Sequence, residues 1–116
     1  LKLARCGWAI VQLGVMGLPR RAAYGAFPGA RQTVGRAERW AFLQDLRLLP
    51  SMKLLVTDLA GLQREILEWD PRHASSVGTY TDIWRQVFDV RRGQAPPDAL
   101  GCPSHFSCTE YAEDPC

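Results

Sequence analysis

The spacing of apolar and turn-forming residues predicts an α/β domain with an antiparallel beginning, a parallel sheet centre and flanking helices. Three observations carry this reading. A stretch rich in β-formers, residues 5–13, is followed by the glycine-bounded turn Gly14-Val15-Met16-Gly17, which folds a second arm back along it. The apolar period then lengthens to a helical one over residues 36–49. After it, Lys53-Leu54-Leu55-Val56-Thr57-Asp58 is a short continuous apolar run ending in a polar pair, the pattern of a strand covered on both faces.

Taken in order, residues 5–13 and 18–25 form the arms of a hairpin, because Gly14 and Gly17 supply the backbone freedom a tight turn needs. Phe27-Pro28-Gly29 breaks the pattern, and a third strand is expected over residues 30–34. Phe42, Leu43, Leu46 and Leu49 recur at helical spacing until Pro50 stops the run. Glu38 would lie in the first turn of that helix, where the positive end of the helix dipole favours an ionised carboxylate. Asp58 ends the next strand. Leu59, Leu62, Ile66 and Trp69 mark one face of a second helix, closed by Asp70-Pro71. A third helix starts at Thr79-Tyr80-Thr81-Asp82 and gathers Tyr80, Ile83, Trp84, Val87 and Phe88 on one side. Residues 93–97 read as a loop, residues 99–102 as a last strand, and Ser107-x-x-Glu110 as one more helix start. The expected order is therefore β-β-β-α-β-α-α-β, with a helix after it.

A chain of 116 residues suits one domain with one core, and its 47% apolar and 22% charged composition is globular rather than disordered. The net charge of +2 conceals an asymmetry: residues 1–50 sum to +6 and residues 51–116 to −4. Such a division is compatible with one surface that attracts phosphates and another that collects a divalent cation, and equally with ordinary solvated faces. Lys2 and Arg5 ahead of the apolar residues 6–18 imitate a secretory signal, but Gln12 interrupts the run and Pro19-Arg20-Arg21 ends it without a well-formed cleavage site. No stretch has the length of a membrane span, so a soluble, intracellular protein with reduced thiols and no membrane partner is expected. Cys102-x2-His105-x2-Cys108-x7-Cys116 could supply four zinc ligands, although the spacing fits no common knuckle or ribbon and lacks a C-x2-C pair.

Glu38 and Asp58 are the strongest pair of candidate ligands. One opens a helix and the other closes the strand that follows it, so a helix crossing the sheet can bring both carboxylates to one end of the domain. Two hard oxygen ligands there suit Mg2+ or Mn2+, which keep waters that a phosphate can replace. The plainer alternative is that Glu38 is a helix-terminal carboxylate and Asp58 the N-cap of the following helix.

Five blocks add a resemblance. They are Gly7-Trp8-Ala9-Ile10-Val11, Tyr24-Gly25-x2-Pro28-Gly29-x-Arg31-Gln32-Thr33-Val34-x-Arg36-Ala37-Glu38, Leu55-Val56-Thr57-Asp58, Asp82-Ile83-Trp84-Arg85 and Pro103-Ser104-His105-Phe106-Ser107. In this order, across nearly the whole chain, they resemble successive blocks of RNase H domains, particularly those attached to retroelement reverse transcriptases. The resemblance implies an RNase H-like mixed sheet, with antiparallel first strands and a parallel centre, in a single partial domain over residues 1–116. It implies hydrolysis of the RNA strand of an RNA/DNA hybrid with two divalent ions, one activating the attacking water and the other stabilising the leaving oxygen.

Under that resemblance Glu38 matches the helix carboxylate, Asp58 the strand-end carboxylate, and His105 the loop histidine that serves proton transfer or product release. Arg31, Gln32, Thr33 and Arg36 match positions that would grip the hybrid through shape, phosphates and 2'-hydroxyls. The chain also departs from the pattern. The family's first-strand aspartate would fall before Leu1 and its last aspartate beyond Cys116, as expected of a truncated copy within a larger polyprotein, with weak Mg2+ or Mn2+ binding and little or no activity on its own. Gly35 stands where relatives often carry Asn, Arg39 replaces an apolar residue, and Leu100-Gly101 replaces a basic-aromatic strand end. A noncatalytic nucleic-acid or protein-interaction module on the same scaffold is the competing expectation.

Overall fold

A computed structural model describes residues 6–75 and 78–102. The predicted hairpin is present as β1 (Gly7–Leu13) and β2 (Pro19–Ala26), antiparallel from Gly7 opposite Ala26 to Gln12 opposite Arg21. A single 3-10 turn, Val15–Gly17, joins them, and Met16 and Gly17 both take left-handed backbone with φ of 71° and 73°. Glycine occupies that region without cost, whereas Met16 is there against its steric preference.

The expected third strand is replaced by a loop. Gln32 explains why: its amide donates to the carbonyls of Phe27 and Gly29, both at 2.8 Å, and its oxygen accepts from the Cys6 backbone N–H at 2.7 Å. These bonds fold residues 27–32 back toward the start of β1 instead of extending them along an edge. Thr33 then caps α1 (Val34–Leu48), its hydroxyl accepting from the Arg36 N–H at 3.3 Å. The helix consequently begins two residues earlier than the apolar spacing suggests, and Glu38 falls in its second turn, so the dipole argument for an ionised Glu38 does not apply. Apolar spacing could not reveal this start, because Val34 is exposed and contributes nothing to the buried stripe.

Beyond α1 the chain forms β3 (Leu54–Thr57), α2 (Ala60–Glu68), α3 (Arg72–Ser75), α4 (Thr81–Val90) and β4 (Asp98–Gly101). The single-turn α3 was not anticipated; the Asp70 carboxylate accepts from the Arg72 N–H at 3.0 Å and starts it just after Pro71. β3 and β4 pair in parallel, Leu54 opposite Asp98 through Thr57 opposite Gly101, with helices making the crossover that parallel pairing requires. The fold is thus mixed α/β, with antiparallel and parallel parts in the expected sequence. Among the described residues, however, they are two separate two-stranded sheets and not one continuous mixed sheet.

The core lies where the helical stripes meet. Phe42, Leu43 and Leu46 of α1, Leu62 and Ile66 of α2, and Ile83, Trp84 and Val87 of α4 are buried together with Ala99 of β4. Charged groups also enter it. The Arg39 guanidinium binds Glu65 through both carboxylate oxygens, with Nε to Oε1 at 2.9 Å, and its Cζ lies 3.7 Å from the Tyr80 ring centre. Trp84 donates its indole N–H to the same Glu65 oxygen at 2.9 Å. Burial would raise the Glu65 pKa, but the hydrogen bonds and charge of Arg39, aided by Trp84, outweigh it and hold the carboxyl below its ordinary value. Arg91 serves the loops: its guanidinium donates to the carbonyls of Ala95, Pro50 and Met52 at 2.9, 2.9 and 2.8 Å, tying together the approaches to β4 and β3. None of the helices among the described residues is long and apolar enough to cross a membrane.

Candidate metal-binding groove

A groove of about 950 Å³ runs between β1 and β3 over one face of α1. Its floor is Glu38, Ala41, Phe42, Asp45, Leu48 and Leu49, which recur at helical spacing. Residues 9–13 form one wall, residues 53–58 the other, and Leu62 and Cys102 border it.

Glu38 and Asp58 both line this groove, so the two sequence-predicted ligands are brought to one place. Burial raises the Glu38 pKa from its ordinary value, and the Asp58 carboxylate raises it further, against an opposing pull from Arg39. The Asp58 charge is thus felt at Glu38 across the groove that both residues line. Asp58 sits just past the end of β3 and is exposed. The alternative role for it as a helix cap is not realised. Leu59 occupies the N-cap of α2 with no side-chain cap, and the turn is held by Thr57, whose hydroxyl accepts from the Leu59 N–H at 3.1 Å. The Asp58 carboxylate therefore remains available to the groove.

Two carboxylates that line one groove, one of them raising the pKa of the other, are suited to share a cation. Mg2+ fits such a set when one or two carboxylates suffice and waters complete its octahedron. The described residues hold no cluster of three or more potential ligands. A cation held there would displace the proton that the raised Glu38 pKa favours, so its affinity would increase with pH.

The other predicted site residues are placed differently. Arg31 is exposed on the loop ahead of α1. Gln32 is occupied by the loop bonds described above, and Thr33 by its cap. Arg36 donates to the Thr79 carbonyl at 2.6 Å, pairs with Asp82 and lies 5.8 Å from the Phe27 ring centre. Of the four residues expected to grip nucleic acid, three are thus engaged in holding the loops around α1. Thr33→Ala should cost about 1 kcal/mol of stability in a urea titration, the usual value of a lost N-cap; an unchanged midpoint would show that the cap is not what Thr33 contributes. His105, Cys108 and Cys116 lie outside the described residues.

Sequence reading missed Asp45. It is two helical turns from Glu38 on the same face, only 8% exposed, and no described residue pairs with its carboxylate. Burial alone pushes its pKa up to about 6. The available signal was its position: a carboxylate between Phe42 and Leu46 falls inside the apolar stripe. Compared with protein-family models, curated proteins and solved structures, the chain matches none of them.

Proposed function

We propose that the chain is an RNase H-like nucleic-acid domain in which Glu38 and Asp58 hold a divalent cation for hydrolysis of the RNA strand of an RNA/DNA hybrid. The observation that carries this reading is the meeting of the helix carboxylate and the strand-end carboxylate in one groove. The ordered sequence blocks and the succession of an antiparallel hairpin, a helix and a parallel pair support it.

Bound there, Mg2+ or Mn2+ would supply Lewis acidity toward a phosphate oxygen and an activated water. Glu38 and Asp58 would hold the ion and be relieved of their mutual repulsion. Arg31 would meet the phosphate backbone, being exposed and outside the bonds that occupy Gln32, Thr33 and Arg36. His105 would serve proton transfer or product release near the scissile phosphate.

A noncatalytic nucleic-acid-binding module is the second reading, favoured by the two-carboxylate ligand set among the described residues. One experiment separates the two. Mn2+ is titrated into the protein while amide signals are followed by NMR, and a labelled RNA/DNA hybrid is incubated in Mn2+ in parallel. Selective broadening around Glu38 and Asp58, with slow cleavage of the RNA strand, is expected, and Asp58→Asn should remove both. Mn2+ broadening without cleavage supports the noncatalytic module, and no broadening at these carboxylates defeats the cation site.

A further inference from the structure

We propose that the tip of the β1–β2 hairpin is a membrane-surface anchor, with Val15, Met16 and Leu18 entering the acyl boundary of an anionic lipid leaflet and Arg20 and Arg21 holding its headgroup phosphates. Hairpin turns are ordinarily closed by glycine and small polar residues, which leave the tip hydrated. Here Gly14 and Gly17 supply the bends, but valine and methionine stand between them and leucine follows. Val15 is 91% exposed, Met16 90% and Leu18 67%, so the three contribute little to the core. Singly exposed apolar residues are ordinary, but three at one protruding tip mark a contact surface. Met16 also holds left-handed backbone, with φ of 71°, which a residue other than glycine adopts at a steric cost. So exposed a side chain gains almost no packing within the chain to offset that cost, whereas its transfer into hydrocarbon would.

Charge identifies the surface that receives the tip. No Asp or Glu occurs from Leu1 to Ala37. Arg20 and Arg21 follow the tip directly, are exposed, and take part in no ion pair among the described residues. Arg20 is skipped by the register shift between β1 and β2, and Arg21 donates to the Gln12 side-chain oxygen at 2.9 Å, a neutral partner that leaves its charge uncompensated. From the turn toward the body, apolar side chains thus come first and cations next, the order of an anionic leaflet from acyl carbon outward to phosphate. Leu18 and Arg21 are about 10 Å apart at strand rise, which matches the roughly 5–10 Å to which interfacial segments bury their apolar side. A duplex groove has the reverse order: its phosphates are outermost and its floor is polar base edges, which an aliphatic tip would dry without bonding. The expected lack of a membrane partner rested on the length of apolar runs, which governs crossing a bilayer and not contact with one leaflet. The anchor uses no residue of the groove, so it stands or falls apart from the nuclease proposal.

The test measures flotation of the full chain with vesicles of phosphatidylcholine alone and of phosphatidylcholine mixed with phosphatidylserine. Methyl signals are followed by NMR with a nitroxide on the lipid acyl chain. Binding to the mixed vesicles is expected, about tenfold tighter than to phosphatidylcholine alone, with broadening greatest at Val15, Met16 and Leu18. Arg20→Gln/Arg21→Gln should weaken it about tenfold, and Val15→Ser/Met16→Ser/Leu18→Ser by about as much. Met16→Gly guards against a variant that fails by unfolding: relaxing the turn should raise the urea midpoint while vesicle affinity falls about threefold. No binding to the mixed vesicles, broadening centred elsewhere, or a serine variant that binds like wild type overturns the proposal, the last because charge alone would then account for adsorption. So does tighter binding of wild type, but not of the serine variant, to a nucleic-acid duplex at the same ionic strength, since the hairpin would then be a groove reader.

Discussion

Glu65→Leu is expected to lower the unfolding free energy by roughly 3–5 kcal/mol, the usual penalty for removing one partner of a buried ion pair. Leucine preserves volume but leaves the Arg39 guanidinium buried without its counter-charge and the Trp84 indole N–H without an acceptor. Against a typical domain stability of roughly 5–15 kcal/mol, such a loss consumes a large share. The double variant Arg39→Met/Glu65→Leu should recover much of it, because the attraction within a buried pair largely offsets the cost of drying its two charges. Urea denaturation of wild type, both singles and the double gives the coupling. A single-variant cost below about 1 kcal/mol would mean that water reaches the pair and that its burial is not functional in the fold. The depressed Glu65 carboxyl stabilises the fold above its ordinary pKa, and this contribution is lost as pH falls through the lowered value.

Asp45 is expected to produce the opposite slope. Its carboxyl is raised from an ordinary 3.8 to about 6, so the folded chain binds the proton more tightly than the unfolded chain does. Stability therefore declines as pH rises from about 4 to about 6 and stays reduced above that, by roughly 1–3 kcal/mol in total, since the carboxylate borders an open groove that lets water screen it. Asp45→Asn should abolish this component and make the protein more stable than wild type at neutral pH. Glu38, also raised, contributes in the same direction, whereas Glu65, Asp70 and Asp82, all lowered, contribute in the other. Subtracting the variant's curve from that of wild type isolates Asp45. A flat difference between pH 4 and pH 6 would show that its carboxylate is solvated in the folded state.

Much of the architecture was legible because its determinants are local. The glycine turn, the apolar stripes of α1, α2 and α4, and the run ending at Asp58 each report a single element, and each element forms where its pattern lies. The failures occur where a side chain acts on a distant backbone. Gln32 turns an apparent strand into a loop by reaching Cys6, and Thr33 moves the start of α1, neither of which periodicity can detect. The meeting of Glu38 and Asp58 was foreseen from helix-strand succession, and both border one groove. Apolar spacing marks Arg39 only as a departure from the pattern and passes over Asp45 and Glu65. Each occupies an apolar-stripe position, and a charged residue there signals either a hidden pair, as for Arg39 and Glu65, or a group that borders a groove, as for Asp45.

The β1–β2 hairpin meets the rest of the described chain chiefly through α1, with Gln32 stitching its base, while the three core helices bury their shared face without it. The two parts of the molecule are thus expected to open separately. Partial opening that releases the hairpin leaves Phe42, Ile66 and Trp84 packed and so costs less than global unfolding. Backbone amides of β1 should accordingly exchange with solvent through a lower-energy route than those of α4, giving the molecule a loosely hinged flap on a tightly knit body.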